Sequence, residues 1–162
     1  MKRFINSFKY ALQGILFCIK SELHFRIHLI ASVWVLAVLY TASADVWQYV
    51  AVVLCITAVL VAETVNTAIE KLCDRITLDR DDAIKDIKNI SAAAALIASV
   101  ASVLVFILIF SSPDMRQRLL DGAMMSPLCA AVIIILPVAA VLLLCINKKT
   151  AAHDTAAKVK KQ

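Results

Sequence analysis

Hydrophobic and polar positions divide the chain into stretches of unlike character. Four long apolar runs cover about 27–44, 46–65, 90–110 and 127–146. Each approaches the ~20 residues that an α-helix needs to cross a ~30 Å hydrocarbon layer, so each is expected to be a membrane helix. The pattern differs between Lys2 and Lys20. There Phe4, Ile5, Phe8, Ala11, Leu12, Ile15, Leu16 and Ile19 recur at helical spacing, and basic and polar residues fill much of the rest. That periodicity predicts an amphipathic helix on the membrane surface, its lysines toward anionic headgroups. A cytosolic helix packed on the bundle would show the same spacing. After Asn147 the chain becomes small, polar and basic, the composition of a solvated or surface-associated tail.

Positive charge sets the expected orientation. Five basic residues precede the first run: Lys2, Arg3, Lys9, Lys20 and Arg26. The turn around Asp45 has none, and Lys71, Arg75, Arg80, Lys85 and Lys88 stand between the second and third runs. Arg116 and Arg118 follow the third, and Lys148, Lys149, Lys158, Lys160 and Lys161 lie in the tail. The positive-inside rule places both termini and the 71–88 segment in the cytoplasm. Tyr40, Trp47 and Tyr49 then bracket a short outer turn, where an aromatic belt belongs. No run has the charged flank, short apolar core and cleavage site of a signal peptide, so all four are expected to stay in the mature protein.

Composition narrows the chemistry. The 162 residues suit one domain, and 62% of them are apolar, against about 45–50% in a soluble domain. Gly14 and Gly122 are the sole glycines. A Walker loop or a Gly-rich kinase loop needs several, because backbone must approach phosphate closely. Any phosphate handled here must be held by side chains and a metal ion. Cys18, Cys55, Cys73, Cys129 and Cys145 form no CxxC pair and read as small hydrophobes in apolar surroundings.

The acidic residues stand where a membrane protein tolerates them least. Glu63, Asn66, Glu70 and Asp74 continue the second apolar run at helical spacing and line one face. A polar helix end emerging into water accounts for Asp74 and largely for Glu70. Glu63 lies about a turn inside the point where the helix leaves the membrane, and ionisable groups at such depth mark function. Glu63 and Glu70 are about 10 Å apart along the axis and cannot share one ion. A Mg²⁺ site takes one or two carboxylates plus phosphate oxygens. Glu70 has the depth for that, and Glu22, the single acid before the first run, is a second candidate. His24 and His28 stand four apart, but two ligands alone do not make a zinc site. Lys85 and Lys88 fit either phosphate neutralisation or the positive-inside bias.

The run Glu63-Thr64-Val65-Asn66-Thr67-Ala68-Ile69-Glu70, followed by Asp74-Arg75, resembles the ExxNxAxE…D signature of the small prokaryotic diacylglycerol kinase and undecaprenol kinase family. Lys88 opens a stretch to Ala98 similar to the family's KDxxxAAVLIA element. Glu22, Phe25 and Arg26 match its ExxFR element, and Arg3 falls where the family carries an N-terminal Arg. The likeness covers about 1–111. Asn89 stands where the family has Asp, and the His24–His28 run is more similar to the undecaprenol-type members.

The resemblance implies an all-α integral membrane fold in the bacterial inner membrane. An N-terminal amphipathic surface helix and a three-helix kinase core assemble as a homotrimer, with the active site between protomers. It implies Glu63 as general base and Glu22 with Glu70 as Mg²⁺ ligands. Asn66 and Lys88 would position phosphates, and Arg3, Tyr10, Asp74 and Asn89 would support the nucleotide. ATP and a membrane lipid alcohol, undecaprenol or diacylglycerol, are the expected substrates, and no nucleic acid is an expected partner. The chain divides into a kinase-like unit at 1–111, an outer loop and extra fourth transmembrane helix at 112–146, and a basic cytoplasmic tail at 147–162. A small proton-coupled transporter and a non-catalytic membrane subunit are the competing classes. Against the transporter, the acidic stripe runs toward the cytoplasm, and no acid lies in the middle of the other spans.

Overall fold

The computed structural model describes residues 2–76 and 81–127, together with 130, 131, 133–135 and 137. The described secondary structure is helical throughout: α1 (Lys2–Ser21), α2 (Leu23–Thr41), α3 (Val46–Ile76), α4 (Asp82–Ser111) and α5 (Pro113–Met125). Helices α2, α3 and α4 are long and apolar enough to cross a membrane, which gives three of the four expected spans. Most of the expected fourth, 127–146, and the whole tail, 147–162, lie outside the described residues.

Helix α1 matches the amphipathic segment. Phe4 and Phe8 meet edge to face at 5.2 Å on its exposed surface, while Cys18 near its end is buried. It stops at Glu22, whose extended backbone breaks the helix and caps the start of α2. The α2–α3 turn is tight. Ser43 adopts a positive φ of 47°, and the amides of Ser43 and Ala44 return to the carbonyls of Tyr40 and Leu39. Gln48 then accepts a 2.7 Å hydrogen bond from the Asp45 amide and so satisfies a donor at the start of α3. At the head of α4, the Asp81 carboxylate accepts from the amides of Ala83 and Ile84, a side-chain N-cap.

Helices α3 and α4 form the principal pair, and α2 packs on α3. The core sits at the end bearing the α2–α3 turn, where Leu39, Ala42, Val52 and Met115 are buried together. Met115 belongs to α5. The connection expected as an outer loop is therefore a docked helix over these residues. Pro113 occupies its first turn with Asp114, both favourable where free amides and the positive dipole end lie. Arg118 secures it, with Nε 2.9 Å from Asp114 and a terminal nitrogen 3.7 Å from Asp45. Gly122 lies so close to α2 that an added Cβ would stand 2.0 Å from the Thr41 carbonyl oxygen.

Helix α3 has 31 residues and is therefore about 46 Å long. It outreaches the ~30 Å hydrocarbon layer, so its final turns project beyond the apolar part. These turns, at the end opposite the core, carry the polar residues.

Candidate functional site

Four side chains on one face of α3 leave the interior in order. Glu63 is buried, Asn66 and Glu70 are half-buried, and Asp74 is exposed. Each has a partner on another element or one turn away. Glu63 faces α2: His28 Nε2 stands 3.3 Å from its Oε1. Neither Glu63 oxygen accepts a hydrogen bond among the described residues.

One turn further out, Asn66 is held from both sides. Its amide nitrogen donates to Glu70 Oε1 at 3.1 Å, and its carbonyl oxygen accepts from Ser91 Oγ of α4 at 2.6 Å. Ser91 is buried. Because its two polar atoms are committed in opposite senses, the Asn66 amide has one orientation. Lys88, one turn before Ser91, reaches back to Asp74 and donates a short hydrogen bond to Oδ1. That pair lies beyond the apolar stretch of either helix. The bond from the ammonium holds the Asp74 carboxyl below its ordinary range, and the same bond raises Lys88.

Glu22 is reached from α3 as well. Lys71 Nζ is 3.6 Å from its Oε1, which also accepts from Ser21 Oγ at 2.9 Å. Arg26, one turn into α2, has a buried Nε with no acceptor among the described residues, a donor that an anionic group would satisfy. Arg3 and Tyr10 are exposed on α1, and Asn89 is exposed on α4; their side chains have no polar partner among the described residues.

The structure thus joins Glu63 to His28, Asn66 to Glu70, and Asp74 to Lys88, and it links Glu22 to the residue after Glu70. It leaves Arg3, Tyr10 and Asn89 outside these contacts. His24 is exposed while His28 turns to Glu63, so the two histidines do not act as one pair.

The donor set suits Mg²⁺. Glu70 and Glu22 each spend one oxygen on hydrogen bonds, the other accepting none among the described residues, and carboxylate oxygens are the hard ligands that Mg²⁺ prefers. No group of three metal-ligating side chains occurs among the described residues. An ion held here would complete its shell with phosphate and water, the usual arrangement for this ion.

Above Glu63, toward the core, α2, α3 and α4 line a half-open apolar cavity of about 270 Å³. Trp34 and Phe106, with ring centroids 5.8 Å apart, form part of its wall. Ser32, Ser99 and Ser102 also line it, but each hydroxyl donates to the carbonyl four residues back in its own helix. His28 lies at the Glu63 end.

The fold and site together define an all-helical integral membrane enzyme with its polar cluster at one end of a three-span bundle. The chain belongs to the prokaryotic diacylglycerol kinase family, whose model matches residues 9–110. It is similar to an undecaprenol kinase of Bacillus subtilis, 30% identical over 110 residues, which are 68% of this chain and 89% of that one. It is also similar to a diacylglycerol kinase of Pseudomonas aeruginosa, 28% identical over 98 residues, 60% of this chain and 80% of the relative. No solved structure gives a significant match. The protein is a lipid kinase.

Proposed function

We propose that this lipid kinase moves the γ-phosphoryl group of ATP to the hydroxyl of a membrane lipid alcohol, undecaprenol or diacylglycerol. The reaction runs at the inner face of the bacterial cytoplasmic membrane, with both termini on the cytoplasmic side. The observation that carries this reading is the graded stripe on α3: a buried carboxylate, followed outward by polar groups that suit phosphate and metal.

Glu63 is the general base. As the lipid hydroxyl attacks, its O–H bond breaks and the proton passes to Glu63 Oε2. The oxygen's electron pair forms the new bond to the γ-phosphorus, and the bond from that phosphorus to the bridging oxygen breaks, releasing ADP. Asn66, oriented by Ser91 and Glu70, offers its fixed amide to phosphate. Lys88 places an ammonium further out, where Asp74 restrains it. Glu22 and Glu70 would hold Mg²⁺, which supplies positive charge to the phosphate oxygens. Arg3, Tyr10 and Asn89 face outward and support the nucleotide.

Their exposure accords with a homotrimer in which α1 completes a neighbour's site. Helix α4 supports close assembly too. Ala92, Ala93 and Ala94 are exposed on it, and small residues let membrane helices approach. In this reading 1–111 is the catalytic unit, and 112–146 and 147–162 are additions to it.

The test is an assay of purified protein in mixed micelles with ATP and Mg²⁺, run in parallel on undecaprenol and on diacylglycerol. Phosphorylated lipid from either one is the expected result, and the preferred substrate names the subgroup. No product from either lipid overturns the reading.

A further inference from the structure

His28 has no place in the phosphate chemistry just described, yet among the described residues it is the ion-pair partner of the buried carboxylate. It projects from α2 toward α3, and its Nε2 lies 3.3 Å from Glu63 Oε1, with the two side chains 25% and 10% exposed. A carboxylate in this position has little water to hold it, and its terminal torsion is soft and broad. A base must present a defined lone pair to the proton it removes, so a partner on one oxygen has direct value for the other.

The cavity reinforces the point. Ser32, Ser99 and Ser102 spend their hydroxyls on their own helices, and Trp34 donates its indole N–H to the Ile133 carbonyl at 2.9 Å. Among these polar lining groups, His28 is the one whose side chain turns to an ionisable group. An apolar wall that ends in an imidazole–carboxylate pair suits a group that must stay oriented without solvent.

We propose that His28 is a positioning residue for Glu63. With its proton on Nε2 it stands within ion-pair reach of Oε1, a contact that tightens into a hydrogen bond as substrate binds, fixes the plane of the carboxylate and leaves Oε2 for the lipid hydroxyl. The proposal rests on the reading of Glu63 as general base, and the experiment separates the two.

Full-length protein carrying His28→Phe, His28→Gln or Glu63→Gln is assayed in lipid–detergent micelles with MgATP and the lipid alcohol that the parent phosphorylates. His28→Phe fills the space without a donor, and His28→Gln restores one. His28→Phe should lower kcat about ten- to a hundredfold, the scale of a lost hydrogen bond to a charged group, and leave the KM for MgATP unchanged. His28→Gln should recover most of the loss. Where the Phe variant does not assemble, His28→Ala takes its place. Parental kcat without a donor at position 28, or a loss that Gln does not relieve, overturns the proposal while Glu63→Gln remains inactive. Parental turnover in Glu63→Gln overturns the assignment of the base itself, and with it the role of His28.

Discussion

Lys71 Nζ stands 3.6 Å from Glu22 Oε1 and 5.9 Å above the Phe17 ring, so one cation from α3 ties down both the α1–α2 joint and the end of α1. Lys71 directly follows Glu70. Its ammonium therefore sits beside Glu22, one of the two carboxylates proposed as metal ligands, and competes with the ion for it.

The competition gives opposite signs for neighbouring substitutions. Glu22→Gln and Glu70→Gln should each raise the Mg²⁺ concentration for half-maximal turnover, because each removes charge from the site. Lys71→Gln should lower it, by about twofold, since a partly exposed ion pair is worth at most ~1 kcal/mol. Turnover measured against free Mg²⁺ checks all three. Curves that overlay the parent's for both Glu variants would show that neither is a ligand.

The Ser91–Asn66–Glu70 chain predicts an order of damage. Ser91→Ala removes one donor and should reduce kcat/KM for MgATP about tenfold or less, the cost of one hydrogen bond. Asn66→Asp puts a second carboxylate beside Glu70, where Asn66 now donates, and should cost more. Equal effects, or the reverse order, would mean that the Asn66 amide is not what the phosphates meet.

At the other end of the bundle, Gly122→Ala should destabilise without touching catalysis. The new Cβ would meet the Thr41 carbonyl oxygen at 2.0 Å, and that atom is backbone. Overpacking of this kind costs about 1–3 kcal/mol. Thermal unfolding in detergent should shift down while kcat at low temperature stays at the parent's value.

A chain ending at Ser112 keeps every proposed catalytic residue and all three described spans. It loses Met115 from the core with Leu39, Ala42 and Val52, and it loses the Ile133 carbonyl that Trp34 uses. Removing a buried side chain of that size costs about 2–5 kcal/mol. The truncated protein should insert, retain most of its turnover when cold, and inactivate at lower temperature. A truncated form that assembles normally and is inactive even when cold would make the extension part of the mechanism.

The spans and the polar stripe were legible because both are periodic along one helix. Glu63, Asn66, Glu70 and Asp74 announce a shared face by spacing alone, and the structure puts them on one. Partners across helices were not legible, since periodicity carries no register between α2, α3 and α4. His28 therefore read as half of an HxxxH pair, although its neighbour in space is Glu63. Ser91 lies in the stretch from Lys88 to Ala98 with no spacing that marks it, although its hydroxyl reaches Asn66. Helix α5 was missed for a different reason. Its sequence is polar, but Ser112-Pro113-Asp114 is a helix-start signal, and the burial of Met115 explains why the segment folds back.

The bond from Trp34 to Ile133 also makes the protein its own optical reporter. Trp34 and Trp47 are the two tryptophans, and their surroundings differ sharply. Trp34 is half-buried in the cavity wall with its indole N–H engaged, whereas Trp47 is 81% exposed at the start of α3. With Trp47→Phe, the remaining emission comes from a single ring that touches both the cavity and the segment beyond α5. Detaching that segment frees the indole N–H, so the colour of the fluorescence follows the seating of the extension on the family core.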